Sequence, residues 1–254
     1  MKKCTVLSPL FIIVIAICFQ YTVTAQELKT TTKDFKNTIH FNITNPIIFG
    51  GRSFIFGYER VINKHQTFSI NFGTVGFPSL GIINSDSFKV KTIRDDKGYN
   101  LSVDYRFYLA KENKYAAPHG VYIGPYYSYN YFDKKHVWAI NSSTGFNGDV
   151  ETDLSLKIHT IGAELGYQFI LWKRVTLDMI LMGPGIASYN LKASLGSNLS
   201  AADREKLFEK LNAALADKFP GYNVIINDGD FQKKGTAKTT SFGFRYLIQV
   251  GFRF

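Results

Sequence analysis

Seven charged residues stand out for their setting: Glu59, Asp104, Arg106, Glu164, Asp178, Arg245 and Arg253 nearly all lie between apolar or aromatic neighbours. Each falls on the polar side of a stretch that alternates polar and apolar. Four carboxylates and three guanidinium groups on one face predict an interlocked ion-pair network, because buried charges persist when paired and hydrogen-bonded. Those residue types could also do acid–base work, but only beside a histidine or a nucleophile.

A hydrolytic site would need a histidine next to a serine, with an acid to orient it. The histidines beyond the first 25 residues are His40, His65, His119, His136 and His159, and none has a serine two positions on. His65 and His119 fall in short turns. His159, near Ser155 and Glu164, is the best group, yet alternation puts His159 and Glu164 on opposite faces. No catalytic residue and no cofactor is therefore expected. Asp149, Glu151 and Asp153 alternate at spacing two, which fits a calcium site less well than a solvated strand edge. Gly183-Pro184-Gly185 has no phosphate-binding pattern after it, so no metal or nucleotide site is expected.

The elements that would carry these residues are strands. Period-2 alternation recurs over 37–45, 52–62, 67–76, 99–109, 120–132, 157–171, 174–183 and 239–254. In 99–109, Tyr99, Leu101, Val103, Tyr105, Phe107 and Leu109 share one face, opposite Ser102, Asp104 and Arg106. The tyrosine-dense stretch 120–132 has an ambiguous phase, and Pro125 within it predicts an irregularity, since proline cannot donate to a ladder. Short connections at 63–66, 111–120 and 171–174 alternate with long ones at 78–98, 133–156 and 184–238. Short turns on one side and long loops on the other are the asymmetry of an outer-membrane barrel. The competing fold is a soluble barrel or sandwich with its apolar face inward. Strands of about 9–11 residues with Tyr and Phe toward their ends favour the inverted arrangement, polar inside and apolar outside. The lumen of eight strands is about wide enough for side chains to fill, so no open pore is expected.

Residues 1–25 read as a secretory signal: Lys2 and Lys3, the apolar run Leu10–Phe19, and a small-residue cleavage site at Ala25 before Gln26. The run is too short for a transmembrane helix. Both cysteines, Cys4 and Cys18, lie inside it, so cleavage would leave no thiol chemistry. Loss of Lys2 and Lys3 takes the formal charge from +10 to +8. A basic exported protein without a Lys/Arg block points to anionic lipid or polysaccharide, and no nucleic acid is expected as a partner.

The closing stretch FRYLIQVGFRF alternates Phe244, Tyr246, Ile248, Val250, Phe252 and Phe254. It resembles the C-terminal signal of outer-membrane barrels, and Tyr246, Ile248, Val250, Phe252 and Phe254 would then be read by the barrel assembly machinery. The chain as a whole resembles the small eight-stranded OmpA/OmpX-like barrels. GVYIGPYYSYNYF, GAELGYQF and LMGPG are similar to stretches of an uncharacterised Gram-negative family of such barrels. That resemblance implies outer-membrane lipid as surroundings and brings no catalytic residues.

The last long connection carries one helical pattern. Ser200 and Asp203 form a capping box, an amphipathic run follows to Phe219, and Pro220-Gly221 stops it. The expectation is an all-β, eight-stranded, antiparallel up-and-down transmembrane barrel over 26–254, following a signal over 1–25. The helix 200–219 lies in an extracellular insert, 184–238. The expected role is non-enzymatic: envelope structure or surface interaction, with an extracellular protein or polysaccharide met through the loops. A lipid-modifying barrel enzyme and a small solute channel are the alternatives.

Overall fold

The computed structural model describes residues 35–49, 52–76, 88–109, 111, 113–141, 147–195, 205 and 236–254. These form eight strands: β1 (Asn37–Asn42), β2 (Phe54–Asn63), β3 (Gln66–Thr74), β4 (Phe88–Tyr108), β5 (Gly120–Asn141), β6 (Asn147–Leu171), β7 (Val175–Leu195) and β8 (Thr236–Arg253). A six-residue helix, α1 (Thr44–Phe49), separates β1 from β2. Each strand pairs antiparallel with the next. β8 returns to pair with β1, from Thr38↔Arg253 to Asn42↔Gln249, and closes the barrel.

The wall is uneven in height. β1, β2 and β3 run 6, 10 and 9 residues, whereas β4 to β8 run 21, 22, 25, 21 and 18. The long connections expected at 133–156 and in the first part of 184–238 are therefore largely strand. β5 continues to Asn141, β6 starts at Asn147, and β7 continues to Leu195. β4 likewise begins at Phe88, inside the segment expected to be a loop. The expected helix at 200–219, apart from Glu205, lies outside the described residues, as do the leader and its cleavage site at Ala25 and Gln26.

The reason these extensions look like loops is visible along β6. Its even-numbered residues face inward throughout, yet their chemistry changes with height. Thr152, Leu154, Leu156 and Ile158 are buried at the upper end, and Glu164 and Gln168 at the lower end. The odd-numbered, outward residues change in the opposite sense. Glu151, Asp153 and His159 are exposed above, and Ile161 and Leu171 are exposed below. β7 repeats the reversal, with Tyr189, Leu191 and Ala193 buried above and Thr176 and Asp178 buried below. The upper part of the barrel is thus apolar inside and polar outside, and the lower part is the inverse.

Local chemistry sets the ends of the strands. β1 stops where the Asn42 side-chain carbonyl accepts the backbone N–H groups of Thr44 (2.9 Å) and Asn45 (3.1 Å), turning the chain into α1. Pro46 is tolerated in that helix's first turn because its missing N–H would have no partner there. The β6–β7 turn holds Trp172 and Lys173 at φ 48° and 69°, the left-handed region that side chains disfavour. Pro125 is the expected irregularity. The β5 ladder to β6 runs through it at Ala163, but the ladder to β4 skips from Asp104↔Tyr126 to Phe107↔Ile123.

Candidate functional site

The lower lumen is filled by one hydrogen-bonded network to which all eight strands contribute. Arg106 of β4 lies at its centre, with no exposed surface. Its Nε donates to Asp104 at 2.5 Å, and its Nη1 donates to Asp178 of β7 at 2.8 Å and to Glu59 of β2 at 3.5 Å. Its guanidinium also lies 4.6 Å from the centre of the Tyr122 ring of β5. Glu59 in turn accepts from Thr67 of β3 (2.7 Å), Gln168 of β6 (3.0 Å) and Tyr108 (3.3 Å), and is 3.1 Å from His40 Nε2 of β1. Tyr122 OH donates to Asp178 at 2.7 Å. Arg245 of β8 donates to Glu164 of β6 at 3.1 Å, and its Nη2 is 3.7 Å from Asp104.

Glycine makes this crowding possible at one place above all. A Cβ on Gly166 would lie 2.3 Å from the Tyr122 ring, so only a bare backbone lets that ring extend across the lumen. The arrangement is a cross-brace: charges from opposite walls meet in a volume closed to water, where each hydrogen bond to a charged group is worth about 1.5–3 kcal/mol.

Six of the seven charges marked from sequence meet here. Arg253 does not. It lies at the lower rim, donating from Nη2 to the Phe35 carbonyl at 2.9 Å, because its position on β8 is below the level of the other six. His40, Thr67, Tyr108, Tyr122 and Gln168 are network members that alternation alone did not single out. Tyr108 shares the phase of Asp104 and Arg106. Tyr122 belongs to the stretch with ambiguous phase, where Gly124 and Ser128 at the same parity mark the inward side.

Above the network lies a cavity of about 460 Å³. Arg245 and Gln249 border its lower end, and Asn71, Asn100, Ser128 and Asn130 contribute amides and a hydroxyl. Phe132, Ile158 and Tyr189 carry its lining into the apolar upper lumen. Two buried polar atoms on its border, Arg245 Nη2 and Gln249 Oε1, have no hydrogen-bond partner.

The remaining candidates are dispersed. His159 is exposed on the outer wall, its Nδ1 2.8 Å from Tyr127 OH, while Glu164 is buried in the lumen. His119, in the β4–β5 connection, stacks on Tyr115 at 4.6 Å; burial, then the charge of Arg253, lowers its pKa below the ordinary value of 6.5. His65 sits in the β2–β3 turn, and His136 lies on β5 across from Thr152. Asp149, Glu151 and Asp153 are exposed along the outward side of β6. Gly183-Pro184-Gly185 lies within β7 rather than after it, at a bulge whose Gly183 carbonyl accepts from Tyr126 OH at 2.8 Å. In the upper lumen, burial lowers the pKa of Lys134, whose Nζ is 3.7 Å from Asp96. No group of three or more metal-ligating side chains occurs among the described residues.

The residues of the terminal stretch face outward and are exposed: Tyr246, Ile248, Val250, Phe252 and Phe254, with Gln249 and Gly251 turned into the lumen. No protein-family model matches the chain, and a comparison with curated proteins gives no match. Among solved structures, the chain is similar to a major outer membrane protein from Thermus thermophilus at 9% identity, covering 86% of this chain and 98% of that one, with a TM-score of 0.32. A likeness at that level carries no argument about function, which has to come from the barrel itself.

Proposed function

We propose that the chain is a non-enzymatic outer-membrane barrel whose lower section crosses the bilayer and whose upper section stands above it as a water-exposed collar. The observation that carries this reading is the reversal of polarity along continuous strands. β6 keeps its inward and outward parity throughout the exchange, and β7 shifts its parity by one residue at the Ile180–Gly183 bulge; both replace polar by apolar residues inside the wall near His159 and Ala187. Nothing in a uniform solvent would produce that exchange. A change from hydrocarbon to water outside the wall does. The outward apolar run on β8, Phe242 to Phe252, spans ten residue steps. At about 3.3 Å per residue and a tilt near 45°, that is about 23 Å, close to the roughly 25 Å band of membrane barrels.

The network supports a closed rather than a conducting lumen, since Arg106 reaches carboxylates from both walls. It also supports a structural role for His40 and Glu59, which are wholly buried. Function then rests with the collar and its connections, as an envelope-structural or surface-interaction protein. Single cysteines test the placement. In intact cells a membrane-impermeant maleimide should label Ser194→Cys on the collar and leave Lys173→Cys in the β6–β7 turn unmodified. Labelling of Lys173→Cys alone would invert the orientation. A folded protein that stays soluble without detergent would overturn the membrane reading altogether.

A further inference from the structure

The low wall has a consequence for the cavity. β1 leaves the sheet at Asn42, and its last links to β8 are Ile43 N–H to the Ile248 carbonyl (3.0 Å) and Ile248 N–H to Thr44 Oγ1 (2.7 Å). Above Ile248, β8 continues to Thr236 paired with β7, and no described strand pairs with its other edge. The cavity reaches that seam. Ile48 of α1, Phe244 and Tyr246 border it and are also 46%, 46% and 51% exposed on the outer surface. The same Phe244 and Tyr246 belong to the outward apolar band. Among the described residues the cavity therefore meets the outer surface at the side of the barrel, at the height of the outward apolar band.

An open sheet edge is tolerated at membrane depth only where it lines a polar cavity or meets a partner. What lies behind this edge is polar but poorly suited to a charged ligand. Four carboxylates (Glu59, Asp104, Glu164, Asp178) already face two guanidinium groups and one imidazole, and Arg245 is engaged by Glu164. A second anion would add to the excess of acid, and a cation would compete beside Arg245. Uncharged hydrogen-bonding groups meet neither objection. Arg245 Nη2, 3.7 Å from Asp104, and Gln249 Oε1 have no hydrogen-bond partner, and Asn71, Asn100, Ser128 and Asn130 line the same cavity. The volume, about 460 Å³, is in the range of small-ligand sites.

We infer that this cavity is a lateral binding site for an uncharged, hydroxyl-rich amphiphile, a sugar-headed lipid chain. It enters through the β1–β8 seam from the surrounding leaflet. The head lies against Arg245 and Gln249, and the chain leaves past Ile48, Phe244 and Tyr246 into the hydrocarbon. The inference rests on the membrane placement above, and the test separates the two.

The protein is reconstituted in phosphatidylcholine nanodiscs and checked for heat-modifiable migration on a gel. It is then titrated with three amphiphiles sharing a dodecyl chain: dodecyl β-maltoside, dodecanoate and dodecyltrimethylammonium. Adducts retained on the released protein are read by native mass spectrometry. The maltoside should give a single saturable adduct and the two charged amphiphiles none. Ser128→Trp, which fills the cavity, should abolish it, and Asn130→Leu, a milder change kept in case the first variant does not fold, should weaken it roughly tenfold. A maltoside adduct that does not saturate, or that survives Ser128→Trp unchanged, overturns the site. Saturable binding of dodecanoate or dodecyltrimethylammonium instead overturns the uncharged head. Failure to insert into nanodiscs at all would overturn the membrane placement and not the chemistry of the cavity.

Discussion

The two ends of this barrel are built on opposite terms. The lower lumen is held by charges that reach across it, with Arg106 tied to Asp104, Asp178 and Glu59 and every strand contributing a partner. Among the described residues, the upper lumen is filled by the buried apolar side chains of Phe132, Leu154, Leu156, Ile158, Tyr189 and Leu191, from β5, β6 and β7. A side chain inside a barrel must be satisfied by whatever the outside lacks. On the proposed placement hydrocarbon surrounds the lower wall, where outward apolar residues cost nothing and polar ones gather within. Where water surrounds it, the ordinary hydrophobic effect returns and the core is apolar. The lower brace is therefore collective, and the packing of the upper lumen local.

The largest expected effect falls on the brace. Arg106→Met leaves four carboxylates facing each other in a closed volume and should cost about 3–5 kcal/mol, read as a lower midpoint of urea unfolding in detergent. A loss under about 1 kcal/mol would mean that the network fills space without holding the walls. Leu156→Ala should cost about 2–5 kcal/mol through lost contact and a cavity. Its signature should be faster amide hydrogen exchange in the upper parts of β5 to β7, with the lower strands still protected. Exchange that rises equally everywhere would erase the distinction between the two ends.

Smaller changes sharpen the same picture. Gly166→Ala drives a methyl into the Tyr122 ring and should cost about 1–3 kcal/mol by overpacking the brace. Combining it with Tyr122→Leu should return part of that loss, and additive losses would contradict the contact. Lys173→Gly relieves a left-handed backbone in the lower turn and should raise stability by about 1 kcal/mol, visible as a higher midpoint.

The smallest effect concerns pH at the lower rim. His119 has a lowered pKa through burial and then Arg253, so the unfolded chain binds more protons than the folded one as pH falls below 6.5. The neutral ring's contribution should be complete above 6.5 and should fade as pH drops toward the lowered value. His119→Phe should flatten that part of the stability–pH curve, and an unchanged curve would remove His119 as its source.

Much of the lower end was legible in the residues. Alternation in 99–109 assigned Asp104 and Arg106 to one face, and it assigned Glu164 and His159 to opposite ones, because a strand's period of two leaves no other arrangement. The collar was not legible. Asp149, Glu151, Asp153 and Ser155 read as a polar connection, since a strand with a polar outward side has the composition of a loop. The inward Leu154 and Leu156 were the signal that β6 begins earlier. The ambiguity of 120–132 had a similar origin: Tyr is found on both faces, inward as a hydrogen-bonding partner of the charges and outward in the apolar band.

A local period of two was enough to give eight strands, the faces of most of them and an interior shared by charges of both signs. Which charges meet, that Arg253 stays at the rim, and that β1 stops short of the described length of β8 emerge only from the folded barrel. Register between strands far apart in the chain sets the height of every inward side chain. That height is a property of the closed ring, which no single strand carries.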